Sequence, residues 1–293
     1  MSTPDSRGPV PEGTVGPGQR VSTGVERPDR ARSAVRGIGE VLITLGLVVL
    51  LFVVYELYVT NLVSASKQRD ASSALDERWQ RPVPAEERGA HFEGFAEGEG
   101  FAKMYVPALG LDYRFTILEG TTEKTLEIGP GHYPETGYPG LPGNFAVAGH
   151  RVGKGAPFND LDLLGSCDAI VVETKDRWFV YRVLPKAEEI AVWADRKAAN
   201  PRCARVDPLG APYDQVVGQR IVSPSQGEVI APVPGLPGAE KSVGEQVGLM
   251  TLTTCHPRFS DRERLIVHAV LATDYPKDPT RPDLRPVELK ETD

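Results

Sequence analysis

The sequence predicts an all-β domain, a barrel or a sandwich, standing behind one N-terminal transmembrane helix. Three observations carry that prediction. Between residues 101 and 271 short runs rich in β-branched and aromatic residues recur, each bounded by Gly or Pro. Thirty glycines and 26 prolines, some in pairs such as Pro139-Gly140 and Pro142-Gly143, punctuate the chain and leave little room for long helices. The exception is an apolar stretch over residues 38–63, where positions 41–55 carry no charge. With 293 residues and 40% hydrophobic content, one folded domain with tails is expected. A formal charge of −7 argues against nucleic acid as a partner, because phosphate binding needs concentrated Lys and Arg.

Taken in order, residues 1–36 are rich in Pro, Gly, Ser and Arg without apolar periodicity, and read as a disordered cytoplasmic tail. Residues 37–63 read as the membrane span. Its uncharged part is short of the ~20 residues a span needs, but Leu57, Tyr58 and Val59 extend it past Glu56. A cleaved signal peptide is the rival reading. The apolar part is longer than a signal core, and Val63-Ser64-Ala65 is a weak cleavage site. Arg20, Arg27, Arg30, Arg32 and Arg36 precede the span, whereas Lys67 and Arg69 alone follow closely, so the N-terminus is expected in the cytoplasm. The protein is thus expected in the cell membrane, single-pass, with its domain outside and the lipid bilayer as a partner. Residues 64–100 read as a linker with a helical turn or two over 71–79. Strand patterns follow at 102–106, 113–118, 143–148, 169–174, 177–183, 219–222, 248–254 and 264–271, with Lys175-Asp176 as a tight hairpin turn. Short helices are expected over 126–131 and 157–164. Residues 186–217 interrupt the pattern as an insertion, and 273–293 read as a disordered tail.

Cys255 ends one strand pattern and Arg264 heads the next, with a short polar loop between them. Alternation puts Met250 and Leu252 on one face and Thr251, Thr253 and Cys255 on the other. In the following strand Leu265, Val267 and Leu271 share the core face, leaving Arg264, Ile266 and His268 opposite. A thiol and a fixed cation can therefore face one groove, the arrangement of a nucleophile beside its charge stabiliser. A thiol also needs a proton partner. Of the five histidines, His91 lies in the linker, His256 points away from its neighbour Cys255, and His268 reads as a surface residue in mid-strand. His150, presented by Gly149 at a strand end, is the better placed, and His132 in its turn-rich segment competes with it. Three cysteines allow one pair and a free thiol, or three free thiols; Cys167 and Cys203 are the candidate disulfide, and spacing does not decide it.

The segments Gly129-Pro-Gly-His-Tyr-Pro134, Gly143-Asn-Phe-Ala-Val-Ala-Gly-His-Arg151, Ala156-Pro-Phe-Asn-Asp-Leu161, residues 168–174, Val229-Ile-Ala-Pro-Val-Pro234 and Thr251-Leu-Thr-Thr-Cys255 resemble a sortase. They are most similar to the class E housekeeping sortases of high-GC Gram-positive bacteria. The likeness covers residues 101–272 and has the family's order of His, Cys and Arg. It implies a closed eight-stranded β-barrel and a cysteine transpeptidase with Cys255 as nucleophile, His150 as general acid and base, and Arg264 stabilising the oxyanion or holding the substrate. The substrates it implies are secreted proteins with a C-terminal sorting signal, cut between Thr and Gly and passed to a peptidoglycan precursor amine. Class E sortases prefer Leu-Ala-x-Thr-Gly to Leu-Pro-x-Thr-Gly, and Tyr133 matches the tyrosine associated with that preference; Thr253 and Thr254 are expected to line the groove, with the core face as the alternative for Thr254. No cofactor is implied, and no acidic cluster has calcium-loop spacing, so no metal is expected. Two other functions compete: a pilin-polymerising sortase, against which the lack of a C-terminal apolar segment argues, and a catalytically silent membrane-tethered binding module. The insertion at 186–217 departs from the family and reads either as a lid or as a tolerated surface loop.

Overall fold

The computed structural model describes residues 30–81, 92, 94–238, 245–278, 280–281 and 283–292. Most of the expected N-terminal tail, and His91, lie outside them. The chain divides into two compact units, Met1–Leu50 and Leu51–Asp293. In the first, the described residues belong to helix α1 (Arg30–Val54), long and apolar enough over Arg32–Val54 to cross a membrane.

Among its described residues the second unit contains nine strands: β1 (Gly100–Tyr105), β2 (Arg114–Glu119), β3 (Gly131–His132), β4 (Gly143–Ala148), β5 (Ala169–Glu173), β6 (Arg177–Val183), β7 (Gln219–Val222), β8 (Gly248–His256) and β9 (Glu263–Pro276). They join in the order β6-β5-β1-β2-β3-β4-β8-β9, and β9 returns to β6, so eight strands close a barrel as expected. The ninth, β7, pairs with β9 outside the ring. Closure is possible because β9 is long: its first half pairs with β8 and its second with β6. Alternate residues fill the interior, among them Met104, Ile117, Phe145, Val147, Met250, Leu252 and Val267. An eight-stranded ring is just wide enough for side chains to fill it, so this is a packed core rather than a channel.

Three stretches depart from the sequence reading. The linker at 64–100 carries helix α2 (Thr60–Gln80), docked on β1 and β2. Leu75 is its buried apolar anchor, and polar bonds do the rest: Gln68 Nε2 donates to Thr116 O (3.0 Å), Thr116 N to Gln68 Oε1 (2.8 Å), and Arg78 to Gly100 O (3.0 Å). Trp79 lies under the ammonium groups of Lys103 and Lys277. The helix expected at 126–131 lies earlier, as α3 (Glu123–Leu126), with the Thr122 side chain capping its N-terminus. The C-terminal stretch expected to be disordered packs on the barrel: β9 runs to Pro276, Tyr275 OH donates to Glu288 (2.9 Å), and Arg182 pairs with Glu291.

The insertion at 186–217 is ordered. It contains α4 (Trp193–Ala199) and builds a second apolar cluster of Trp193, Cys203, Val206, Tyr213 and Val216 against Leu184 and Leu249 of the barrel. Cys167 and Cys203 are bonded, which ties the insertion to the strand below it and leaves Cys255 as the free thiol.

Candidate active site

The outward face of β8 becomes less covered toward its C-terminal end. Leu249 lies under the insertion's apolar cluster. Thr251, next on that face, is sealed: its hydroxyl donates to Asn144 Oδ1 and lies 2.8 Å from His268 Nδ1. Thr253 meets the Tyr133 hydroxyl at 3.0 Å. Cys255, at the rim, is half-buried. A period of two thus brings a buried apolar anchor, a closed polar pair, a groove threonine and a thiol onto one surface.

Two neighbouring strands bring His150 and Arg264 to that rim. β4 runs parallel to β8, with Ala148 opposite Thr253, and Gly149 N continues the ladder by donating to Thr253 O at 3.1 Å. His150 and Cys255 are each two residues beyond that last pair, on chains spaced by about 4.8 Å in a sheet. Gly149 has to be glycine here, since a Cβ would lie 2.6 Å from the Phe158 ring. The Thr254 hydroxyl holds the same turn, donating to Gly149 O at 2.7 Å. Of the two sides open to Thr254, groove or core, it takes the second. In β9, Arg264 lies directly opposite Cys255. Its Nη1 donates to Asp261 O (2.8 Å) and Glu263 O (3.0 Å), which fixes the cation at the hairpin's end.

His150 Nε2 is buried and, among the described residues, has no hydrogen-bond partner. Burial pushes the His150 pKa down, partly opposed by the negative charge of Glu127. A neutral imidazole with an unengaged nitrogen can take or give a proton at the rim. The chain also supplies a residue whose role the sequence reading passed over. Arg151 is buried, and its Nη1 lies 3.4 Å from Cys255 O and 2.7 Å from His256 Nδ1, while Nη2 pairs with Asp162 at 2.9 Å. One guanidinium thus joins the His150 turn to the Cys255 strand end. Its position next to His150 was the signal in the sequence.

The other histidines separate cleanly. His132 is fully buried, with Nδ1 2.9 Å from Glu119 Oε2 and Nε2 3.0 Å from Gly137 O, ringed by Phe101, Tyr138 and Phe145. It has no capacity left for a reacting group. His268, expected at the surface, is fully buried, with Nδ1 2.8 Å from the Thr251 hydroxyl; burial, with Arg220 nearby, pushes its pKa down to about 3. Among the described residues no group of His, Cys, Asp and Glu could hold a metal ion.

Comparison with known proteins adds the family. Residues 104–272 match the sortase domain model. Two curated Streptomyces coelicolor proteins align with most of the chain. Sortase SrtE1 is 34% identical over 88% of this chain, and SrtE2 is 32% identical over 91% of it. The aligned region spans 62% of SrtE1's own length and 91% of SrtE2's. Among solved structures, the SrtF sortase from Corynebacterium diphtheriae is 44% identical, covers 72% of this chain and all of its own, and superposes with a TM-score of 0.62.

Proposed function

We propose, from the premise that this chain belongs to the sortase transpeptidase family and has class E sortases as relatives, that it is a membrane-anchored cysteine transpeptidase joining sorting-signal proteins to a cell-wall amine. The observation that carries the reading is the shared rim: Cys255 opposite Arg264 in register, with His150 brought alongside by a parallel strand.

In this mechanism Cys255 Sγ attacks the carbonyl carbon between Thr and Gly of the signal, and the thiol proton passes to His150. The C–N bond then breaks, His150 returns the proton to the departing glycine amine, and a thioester remains on Cys255. An incoming amine of a peptidoglycan precursor attacks that thioester. His150 takes the amine proton, and the sulfur leaves. Arg264, permanently charged, faces the oxyanion formed in each half of the reaction. The lowered pKa of His150 supports the first step, since the neutral ring is the form that accepts the thiol proton. Tyr133, through its bond to Thr253, is the residue we assign to preference for Ala over Pro in the signal's second position. The exposed apolar helix α1 supports single-pass anchoring, and the arginines that precede it in the sequence favour a domain outside the cell.

The test uses the full chain in a neutral detergent with Leu-Ala-x-Thr-Gly and Leu-Pro-x-Thr-Gly peptides, supplied with either a glycine-type amine or a lysine-bearing protein. Mass spectrometry should show Thr–Gly cleavage, a thioester on Cys255, and transfer to the glycine-type amine. Transfer to lysine alone would point to pilin polymerisation. A Cys255→Ala protein that behaves as the wild type would sink the enzyme reading altogether.

A further inference from the structure

Between α2 and β2 lies a cavity of about 410 Å³ that the proposed reaction does not use. Its lining includes Arg69 and Ser72 of α2, Arg114 and Thr116 of β2, and Lys154 from the turn after His150. In a chain of net charge −7, this cavity is lined by three cations and, among the described residues, by no carboxylate. Lys154 is already paired with Glu123 and Glu127. Arg69 and Arg114, both exposed, make no hydrogen bond or ion pair among the described residues, and Arg114 also borders a second cavity beside Tyr105, so both guanidinium groups are free to turn to a ligand. An independent sign is Thr116: it is 2% exposed, and its hydroxyl has no hydrogen-bond partner. A buried hydroxyl is rarely left so, and a ligand oxygen would satisfy it. Open guanidinium groups with a hydroxyl donor make a phosphate site, because the planar guanidinium matches phosphate oxygens two at a time.

The location says where the phosphate would come from. α2 begins six residues after α1 ends at Val54, and the cavity lining starts at Asn61. Tyr55, Tyr58, Leu62 and Val63 are all exposed, so apolar and aromatic surface continues to the cavity's edge. Tyrosines at such a position mark the level of lipid headgroups. Along a helix, Val54 to Ser64 is roughly 15 Å, comparable with the polar layer outside the hydrocarbon.

We propose that this cavity binds the phosphate of a membrane-lipid headgroup, with Arg69 and Arg114 holding the anion and Thr116 donating to it. The phosphate chemistry stands on the cavity alone; the lipid source rests on reading α1 as the membrane anchor. Bound there, the lipid would fix α2 against the bilayer, and with it the turn that follows His150, since Gly155 N donates to Asn61 Oδ1 at 2.9 Å.

The test again uses the full chain in neutral detergent, titrated calorimetrically with dihexanoyl phosphatidylglycerol and, separately, with inorganic phosphate. Phosphatidylglycerol should bind at one site. The paired substitution Arg69→Gln with Arg114→Gln should weaken it by at least about tenfold, and Thr116→Val by about threefold. Peptide cleavage in detergent should be unchanged in all three proteins, which reports that they are folded. Undiminished binding by the paired variant would overturn the site, and equal affinity for inorganic phosphate would overturn the lipid assignment. Flotation with phosphatidylglycerol vesicles separates the two premises. A chain that floats but does not bind the short-chain lipid keeps its anchor and loses the pocket, and one that binds the lipid but does not float does the reverse.

Discussion

His132 and His150 sit at the ends of adjoining strands, each directly after a glycine, yet they hold opposite positions in the molecule. His132 lies in an aromatic cage with both ring nitrogens next to protein oxygens. His150 lies at the rim with a buried Nε2 that nothing among the described residues engages. The difference teaches that a motif histidine is read by what it lacks. Complete hydrogen bonding makes a residue part of the scaffold, while an unengaged buried nitrogen is capacity held for a reacting group.

The sharpest way to break this comparison is to remove each ring. His150→Ala should lower the cleavage rate by about 10²- to 10⁴-fold with the melting temperature nearly unchanged. His132→Ala should instead cost about 2–4 kcal/mol of stability, because it opens a cavity among Phe101, Tyr138 and Phe145 and leaves the buried Glu119 carboxylate with Tyr138 OH but without the imidazole, while the folded fraction keeps its rate. Kinetics paired with thermal melts reads both, and an exchange of phenotypes would reverse the assignment.

A third histidine sharpens it through pH. His268 has its pKa pushed down to about 3 by burial from an ordinary value of 6.5, so between those values the unfolded chain binds a proton that the folded chain refuses. Stability is therefore full above pH 6.5 and is lost as the pH falls toward 3, by about 2 kcal/mol at pH 5 for this group. His150, also depressed by burial, acts in the same direction. Denaturant melts at pH 7 and pH 5 should show the loss, and His268→Gln should reduce it; an equal loss in that variant would remove His268 from the account.

Arg151 is where scaffold and rim meet. Arg151→Lys keeps the charge but cannot reach Cys255 O, His256 and Asp162 together, so kcat should fall about tenfold with KM little changed. A rise in KM alone would assign Arg151 to substrate binding instead. The smallest effect expected is for Tyr133→Phe, which removes one hydroxyl bond to Thr253. The rate ratio between the Leu-Ala and Leu-Pro peptides should narrow by about threefold, and an unchanged ratio would end its role in selectivity.

Much of the rim was legible because strand alternation is a strict code. Once Met250 and Leu252 were placed inside, Thr253 and Cys255 had to face outward, and the hairpin set Arg264 opposite. The same code placed His268 on the outer face but could not show that this face would be buried, with Thr251 and Asn144 closing a polar set around the ring. Helix α2 escaped notice because it docks through Gln68, Arg78 and Trp79 rather than an apolar stripe, so no hydrophobic period announces it. The barrel closes where β9 pairs with β6 from Ala269 to Pro276, and more than half of that seam lies beyond residue 271, in a stretch whose charges and prolines resemble a tail. The choice between His132 and His150 was beyond local pattern, because it depends on Glu119 and Gly137, partners brought in by the fold.

The bond between Cys167 and Cys203 has a further consequence at the bench. With those two sulfurs oxidised, the native protein offers one titratable thiol, and that thiol is Cys255. A thiol-reactive probe should consume one equivalent per native chain and three after reduction and unfolding. The first equivalent therefore counts competent active sites in any preparation, and a preparation that takes up more reports that the insertion has come loose.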